Sequence, residues 1–289
     1  MVGLLRCCVS ASVMRKLIAA PLFFIFLLLF LSSGTLMAQL ILTNAVPSAS
    51  VDFSNNMQTT VGSNPSQPFT GAGFSPNPII AGRLNSNAWS FTGWSDGNLN
   101  FGATNISGDY ARGTSTTAQT TGGVYAYTGV PGTAANPSMM FQPGGSDFDP
   151  GTVTLRLQNN GTTIISQLAL SYDLFVRNDQ GRSNSFNFSW STDNNTYTDV
   201  VALDYASIAA PDALGGLQVG TSPSRSTNFT GITFTPGSSF YLRWTSTSTG
   251  AGSRDEVGID NIAVVATYDA PCSQPATQAT ITSFANTTA

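Results

Sequence analysis

Hydrophobic and polar residues alternate with period two through much of this 289-residue chain, most plainly at Ser185 to Ser191, where Phe186, Phe188 and Trp190 alternate with Asn187 and Ser189. Such alternation places successive side chains on opposite faces of an extended strand. The pattern predicts strands at Thr152 to Leu157, Ile164 to Val176, Ser185 to Ser191, Ser239 to Trp244 and Gly258 to Thr267. Shorter ones are expected at Ala88 to Phe91 and Gly123 to Tyr127, inside long polar loops. Turn-forming residues stand between them, at Asn159-Asn160-Gly161, Asp179-Gln180-Gly181, Asp193-Asn194-Asn195 and Pro236-Gly237. These residues tolerate positive φ or bond locally to the backbone, so consecutive strands are expected to run antiparallel. No segment after residue 40 carries a helical period, and only Ala202 to Leu217 would accommodate a helical turn or two. The expected fold class is all-β: an antiparallel two-sheet sandwich, jelly-roll-like, after an N-terminal signal peptide.

The start of the chain has a different character. Arg15 and Lys16 precede an apolar run from Leu17 to Leu31, and small or polar residues follow to Ala38 and Gln39. This is the order of a secretory signal, and the run is shorter than the roughly 20 residues that span a bilayer. The organisation read from the sequence is a signal peptide over 1–38, its true start at Met14, a β-sandwich domain over 40–270, and a linker with one strand, Thr280 to Phe284, over 271–289. A secreted or cell-surface location follows, with no membrane contact after signal cleavage.

Composition narrows the chemistry. From Leu40 onward there are eight arginines, no lysine and all fifteen acids, a net charge of −7. A phosphate-gripping basic face is missing, which argues against nucleic acid as a partner of this domain. Cys7 and Cys8 belong to the leader, so Cys272 is left without an internal disulfide partner. The chain has no histidine, which excludes Ser-His-Asp and Cys-His nucleophile systems and the commonest zinc ligand.

Three sets of residues remain as candidate sites. Asp255, Glu256 and Asp260 offer hard oxygen ligands for a structural Ca²⁺. Glycosidase-type catalysis would need a carboxylate pair drawn from Glu256, Asp255, Asp260 and loop aspartates, and for Glu256, the single glutamate, a structural ion pair or turn beside Arg254 and Asp255 is the simpler explanation. Trp89, Trp94 and Asp96, in NAWSFTGWSDG, are candidate ligand-binding residues, with a tryptophan ring stacking on a sugar; core packing is the competing role. Asp147 and Asp149 in SDFDPG read as turn residues, Tyr125 and Tyr127 alternate on one strand face, and Arg243 is expected to pair with a carboxylate such as Asp260.

The stretch from Leu168 to Thr267 resembles a β-sandwich module of large secreted proteins of Bacteroidetes. The resemblance rests on SYDLFVRNDQGR, FNFSWSTDNNTYTDV, FYLRWTSTSTG and RDEVGIDNIAVVA, with NAWSFTGWSDG and GDYARGTST upstream. CSQPATQATITSF is similar to the first strand of a fibronectin type III-like domain, and the GIDN strand to the last strand of carbohydrate-binding jelly rolls. Such modules precede lamin-tail, nuclease or sorting domains in proteins exported by the type IX secretion system. The resemblance implies a non-catalytic extracellular recognition or adhesion module for glycans or cell surfaces. The alternative is a spacer or accessory domain of a larger secreted hydrolase or nuclease, whose catalytic part lies beyond this chain.

Overall fold

A computed structural model describes residues 40–54, 68–76, 80–212, 224–249 and 252–270. The leader, Cys7, Cys8, Cys272 and the strand expected at Thr280 to Phe284 lie outside the described residues. The strands, in chain order, are β1 (Leu40–Leu42), β2 (Ser48–Val51), β3 (Phe74–Ser75), β4 (Leu84–Asn85), β5 (Trp89–Thr92), β6 (Thr114–Ser115), β7 (Gly123–Tyr127) and β8 (Ser138–Gln142). Then follow β9 (Gly151–Asn159), β10 (Ile165–Arg177), β11 (Asn184–Ser191), β12 (Thr198–Asp199), β13 (Tyr205–Ala206), β14 (Ser224–Phe234), β15 (Ser239–Ser248) and β16 (Glu256–Tyr268).

The protein is an all-β sandwich. One sheet has the order β1-β9-β15-β11-β12, with β5 also on β9 and β13 also on β11. The other has the order β14-β10-β16-β8-β7-β6, with β2 also on β16. The long strands alternate between the two: β9, β11 and β15 in the first, β10, β14 and β16 in the second. The expected turns are therefore mostly corners rather than hairpins. Long-strand pairing is antiparallel, as expected, but joins strands distant in sequence, such as β9 with β15 and β10 with β16. Only β1 on β9, β6 on β7 and the small β3-β4 pair are parallel.

Period-two patterning explains the core. Val153, Leu155 and Leu157 of β9, Phe240, Leu242 and Trp244 of β15, and Phe186 and Phe188 of β11 face inward. From the opposite sheet they meet Leu168, Leu170, Tyr172, Leu174 and Val176 of β10 and Val257, Ile259, Ile262 and Val264 of β16. Trp244 sits edge-on to Tyr172 at 5.3 Å and to Phe188 at 5.4 Å between centroids. Interiors packed this closely resist the loss of even one ring.

The corner after β9 is held by Asn159, which is fully buried. Its Nδ2 donates to the carbonyls of Thr163 and Phe234 at 3.1 and 2.8 Å, while Oδ1 accepts from Gly161 N–H at 2.8 Å. Asp193-Asn194-Asn195 does make a hairpin, from β11 to β12, with Asn194 at φ 60°. The helical allowance at Ala202 to Leu217 reduces to a 3-10 turn at Val201–Leu203, and 213–217 lie outside the described residues.

Candidate functional site

Trp89, Trp94 and Asp96 do not form a binding surface, and their expected ligand role is corrected here. Trp89 is fully buried and Trp94 is 5% exposed. Trp89 lies 6.2 Å from Phe53 and 6.5 Å from Phe91, and Trp94 stacks on Phe148 at 4.6 Å and 10°. Asp96 is locked to a neighbouring loop: its Oδ2 accepts from Asp109 N–H at 2.7 Å, and its own N–H donates to Asp109 Oδ2 at 3.0 Å. Asp109 in turn pairs with Arg112 at 2.6 Å. Alternation alone could not separate an inward tryptophan from an outward one, because β5 pairs along β9 and points the same way into the core.

Asp255, Glu256 and Asp260 do not converge either. Glu256 and Asp260 are four residues apart on one extended strand, roughly 13 Å by strand rise. Among the described residues no group of three or more acids, cysteines or histidines is arranged to hold a metal ion. Asp255 accepts from Gln180 N–H at 3.0 Å, and burial raises its pKa. Glu256 lies under the Thr116–Thr121 segment and accepts from Gln119 N–H at 2.6 Å. Burial, with Asp179 adding to it, pushes Glu256 up to about 7. Its carboxyl is fully buried and cannot reach a glycosidic bond. Arg254 does not pair with these sequence neighbours. It bonds Asp149 at 2.7 Å, as does Arg182 at 3.0 Å. Burial of Asp149 acts against ionisation, but hydrogen bonds from Ser248 and Arg254 outweigh it and lower its pKa.

Asp260 has a separate setting on the outer face of the second sheet. It is 4% exposed, and burial, reinforced by Asp52 and Asp173, pushes it up to about 8 against the pull of Asn261 N–H. Asn261, at φ 50°, donates its amide to Asp173 at 2.9 Å. Tyr125 and Tyr127 do share the outer face of this sheet, where they form a small buried cluster with Met140 and Phe175.

The chemically equipped surface is the outer face of the first sheet. Because Val153, Leu155 and Leu157 point inward, Thr152, Thr154 and Arg156 point out; by the same rule Tyr241, Arg243 and Thr245 of β15 and Asn187 and Ser189 of β11 share that face. The register sets Arg156 opposite Tyr241, and Arg243 between Thr154 and Ser189. Two loop aromatics complete a row. Phe101 lies under the Arg156 guanidinium at 4.5 Å and 5.9 Å from the Tyr241 ring, and the Arg243 guanidinium lies 3.5 Å over the Tyr197 ring.

Arg243 is not paired with Asp260, which belongs to the other sheet. Its Nε donates to Thr154 Oγ1 at 3.0 Å, and the Tyr197 hydroxyl donates to Asn194 Oδ1 at 2.6 Å. Arg156 donates twice to Asn87 O, at 3.0 and 2.6 Å. Burial pushes Tyr197 up to about 12, against Arg243, so it stays a neutral donor. Partly exposed rings, guanidinium donors and a field of hydroxyl and amide groups are what a flat, polyhydroxylated ligand needs: ring faces for stacking and paired donors and acceptors around them. The signal for this site was present as the outward positions of YLRW in β15 and TLRLQ in β9, but it became readable only once the register joined β9 to β15 and the loops brought in Phe101 and Tyr197.

No family model matches the chain, and no curated protein does. Among solved structures, the TmCBM61 module in complex with β-1,4-galactotriose is 11% identical, covering 50% of this chain and 82% of its own, with a TM-score of 0.30. The K3 cleaved adhesin domain of Lys-gingipain from Porphyromonas gingivalis w83 is 10% identical, covering 48% and 79%, with a TM-score of 0.30. The N-terminal cellulose-binding domain of Cellulomonas fimi β-1,4-glucanase C is 13% identical, covering 63% and 91%, with a TM-score of 0.27. These three neighbours are a carbohydrate-binding module, an adhesin domain and a cellulose-binding domain. Likenesses at these scores carry no argument about what this chain binds.

Proposed function

We propose that this protein is a non-catalytic, secreted or cell-surface recognition module that binds extracellular glycan on the outer face of its first sheet. The observation that supports the reading is the row Phe101, Arg156, Tyr241, Arg243 and Tyr197, set among outward Ser, Thr and Asn side chains. A sheet face that serves only to shield a core needs no such rings. Export by the type IX route and a role in adhesion belong to the same proposal, as does the absence of a nucleic-acid or membrane partner. Among the described residues no helix is long and apolar enough to cross a membrane.

The test is retention of the protein on a panel of insoluble and arrayed polysaccharides. Tyr241→Ala is expected to lose at least tenfold in retention with its melting temperature kept. Equal retention of Tyr241→Ala and the parent chain would remove the site from this face.

A structural Ca²⁺ is proposed in narrower form, at Asp260. Burial, with Asp52 and Asp173 adding to it, disfavours ionisation of that carboxyl, and a divalent cation would supply the missing positive charge. Calcium takes carbonyl and amide oxygens besides carboxylates, so three converging acids are not required. Asp255 and Glu256 have no part in this site.

A further inference from the structure

Resting on the glycan-binding reading of this face, we propose that its ligand is an anionic polysaccharide, with Arg156 and Arg243 receiving the acidic groups. Among the described residues the ion pairs involve Arg112, Arg177, Arg182 and Arg254, each with an aspartate. Arg156 and Arg243 are in none of them. Both are held instead by neutral groups, a carbonyl or hydroxyl on one side and an aromatic ring on the other. A ring fixes the plane of a guanidinium without neutralising its charge, and guanidinium stays charged when half-buried. Five N–H donors per guanidinium exceed the bonds made here, leaving a fork suited to a carboxylate or sulfate.

The distribution of charge makes these two arginines unusual in an acidic protein. In the strands of the first sheet the charged residues are Arg156, Arg243 and the edge residue Asp199, two positive and one negative, whereas the strands of the second sheet carry Asp173, Arg177, Arg225, Glu256 and Asp260, two positive and three negative. On the strands, positive charge therefore outweighs negative in the first sheet, whose outer face also carries the partly exposed rings of Phe101, Tyr197 and Tyr241. Arg156 is opposite Tyr241, and Arg243 is two residues further along β15. The two are diagonal neighbours about 7–8 Å apart, their Cβ atoms somewhat closer, with Tyr241 beside both as a stacking surface. Repulsion from the remote acids is largely screened beyond a Debye length of about 8 Å at physiological ionic strength, while contact pairing at the half-buried arginines is screened much less.

The experiment measures binding of the full chain to polygalacturonate, to dextran sulfate and to unsubstituted dextran and galactan, at low and high salt. Variants are Arg156→Gln and Arg243→Gln, with Arg225→Gln on the second sheet as the charge-matched control. The expected result is binding to at least one polyanion that weakens with salt and falls at least tenfold in Arg156→Gln and Arg243→Gln but not in Arg225→Gln. Polygalacturonate alone would identify the groups as carboxylates, and dextran sulfate alone as sulfates. Binding of neutral polysaccharide that is unchanged in both arginine variants and lost in Tyr241→Ala would overturn the anionic ligand and keep the glycan face. Binding to none of the polysaccharides would overturn both. An equal loss in Arg225→Gln would reduce the effect to net charge and overturn the proposal.

Discussion

At the scale of single residues, two aromatic groups of similar appearance in the sequence have opposite roles. Trp94 stacks on Phe148 in the core, whereas Tyr241 lies outward beside Phe101 and Arg156. Trp94→Ala is expected to destabilise the fold by about 3–5 kcal/mol, the usual cost of deleting a large buried ring. Thermal or denaturant unfolding checks this, and an unchanged midpoint would contradict the packing. Tyr241→Ala is expected to shift stability by less than about 1 kcal/mol. The buried carboxyls supply a second prediction. Asp260 and Glu256 have folded pKa values of about 8 and about 7, above their ordinary values. The folded state therefore binds more protons than the unfolded state between roughly pH 4 and pH 8, and stability declines as pH rises through that window. In chelator, the melting temperature is expected to fall from pH 4 to pH 8, and Asp260→Asn is expected to flatten the decline. With Ca²⁺ present, the ion competes with the proton at Asp260 and the fall is expected to shrink. An identical pH profile with and without the ion would reject the Ca²⁺ site.

At the scale of elements, the long strands β9, β10, β11 and β16 were legible because alternating large apolar residues declare a half-buried strand. β14 was missed: in SRSTNFTGITF most positions are exposed, so apolar residues do not mark every second place. β8 was missed because SMMFQ is buried on both faces and shows no alternation. The turns were found, but which strands they join was not, since a corner between sheets and a hairpin use the same residues. Asn159 shows the difference: its side chain closes the corner by bonding Thr163 and Phe234 across the sandwich. Asn159→Ala would strand those buried carbonyls and is expected to cost about 1–3 kcal/mol. A loss well under 1 kcal/mol, measured by urea unfolding, would mean that the corner is held by its backbone alone.

At the scale of the whole molecule, the sandwich separates its chemistry. Buried acids and their hydrogen bonds occupy the second sheet and the loops at one end, while rings, guanidinium groups and hydroxyls share the outer face of the first sheet. Composition had excluded histidine chemistry and a basic nucleic-acid grip, and those limits follow from residue counts alone. The site itself was not legible, because it is assembled from Phe101, Arg156, Tyr197, Tyr241 and Arg243, which lie in four separate stretches of the chain. The central claim is that this face carries recognition. Amide chemical shifts of the isotopically labelled protein, followed while the retained polysaccharide is added as short oligosaccharides, test it most directly. The account predicts saturable shifts at Arg156, Ser189, Tyr197, Tyr241 and Arg243, with Glu256 and Asp260 unmoved. Shifts confined to the second sheet or to the Arg254–Asp149 end would contradict it.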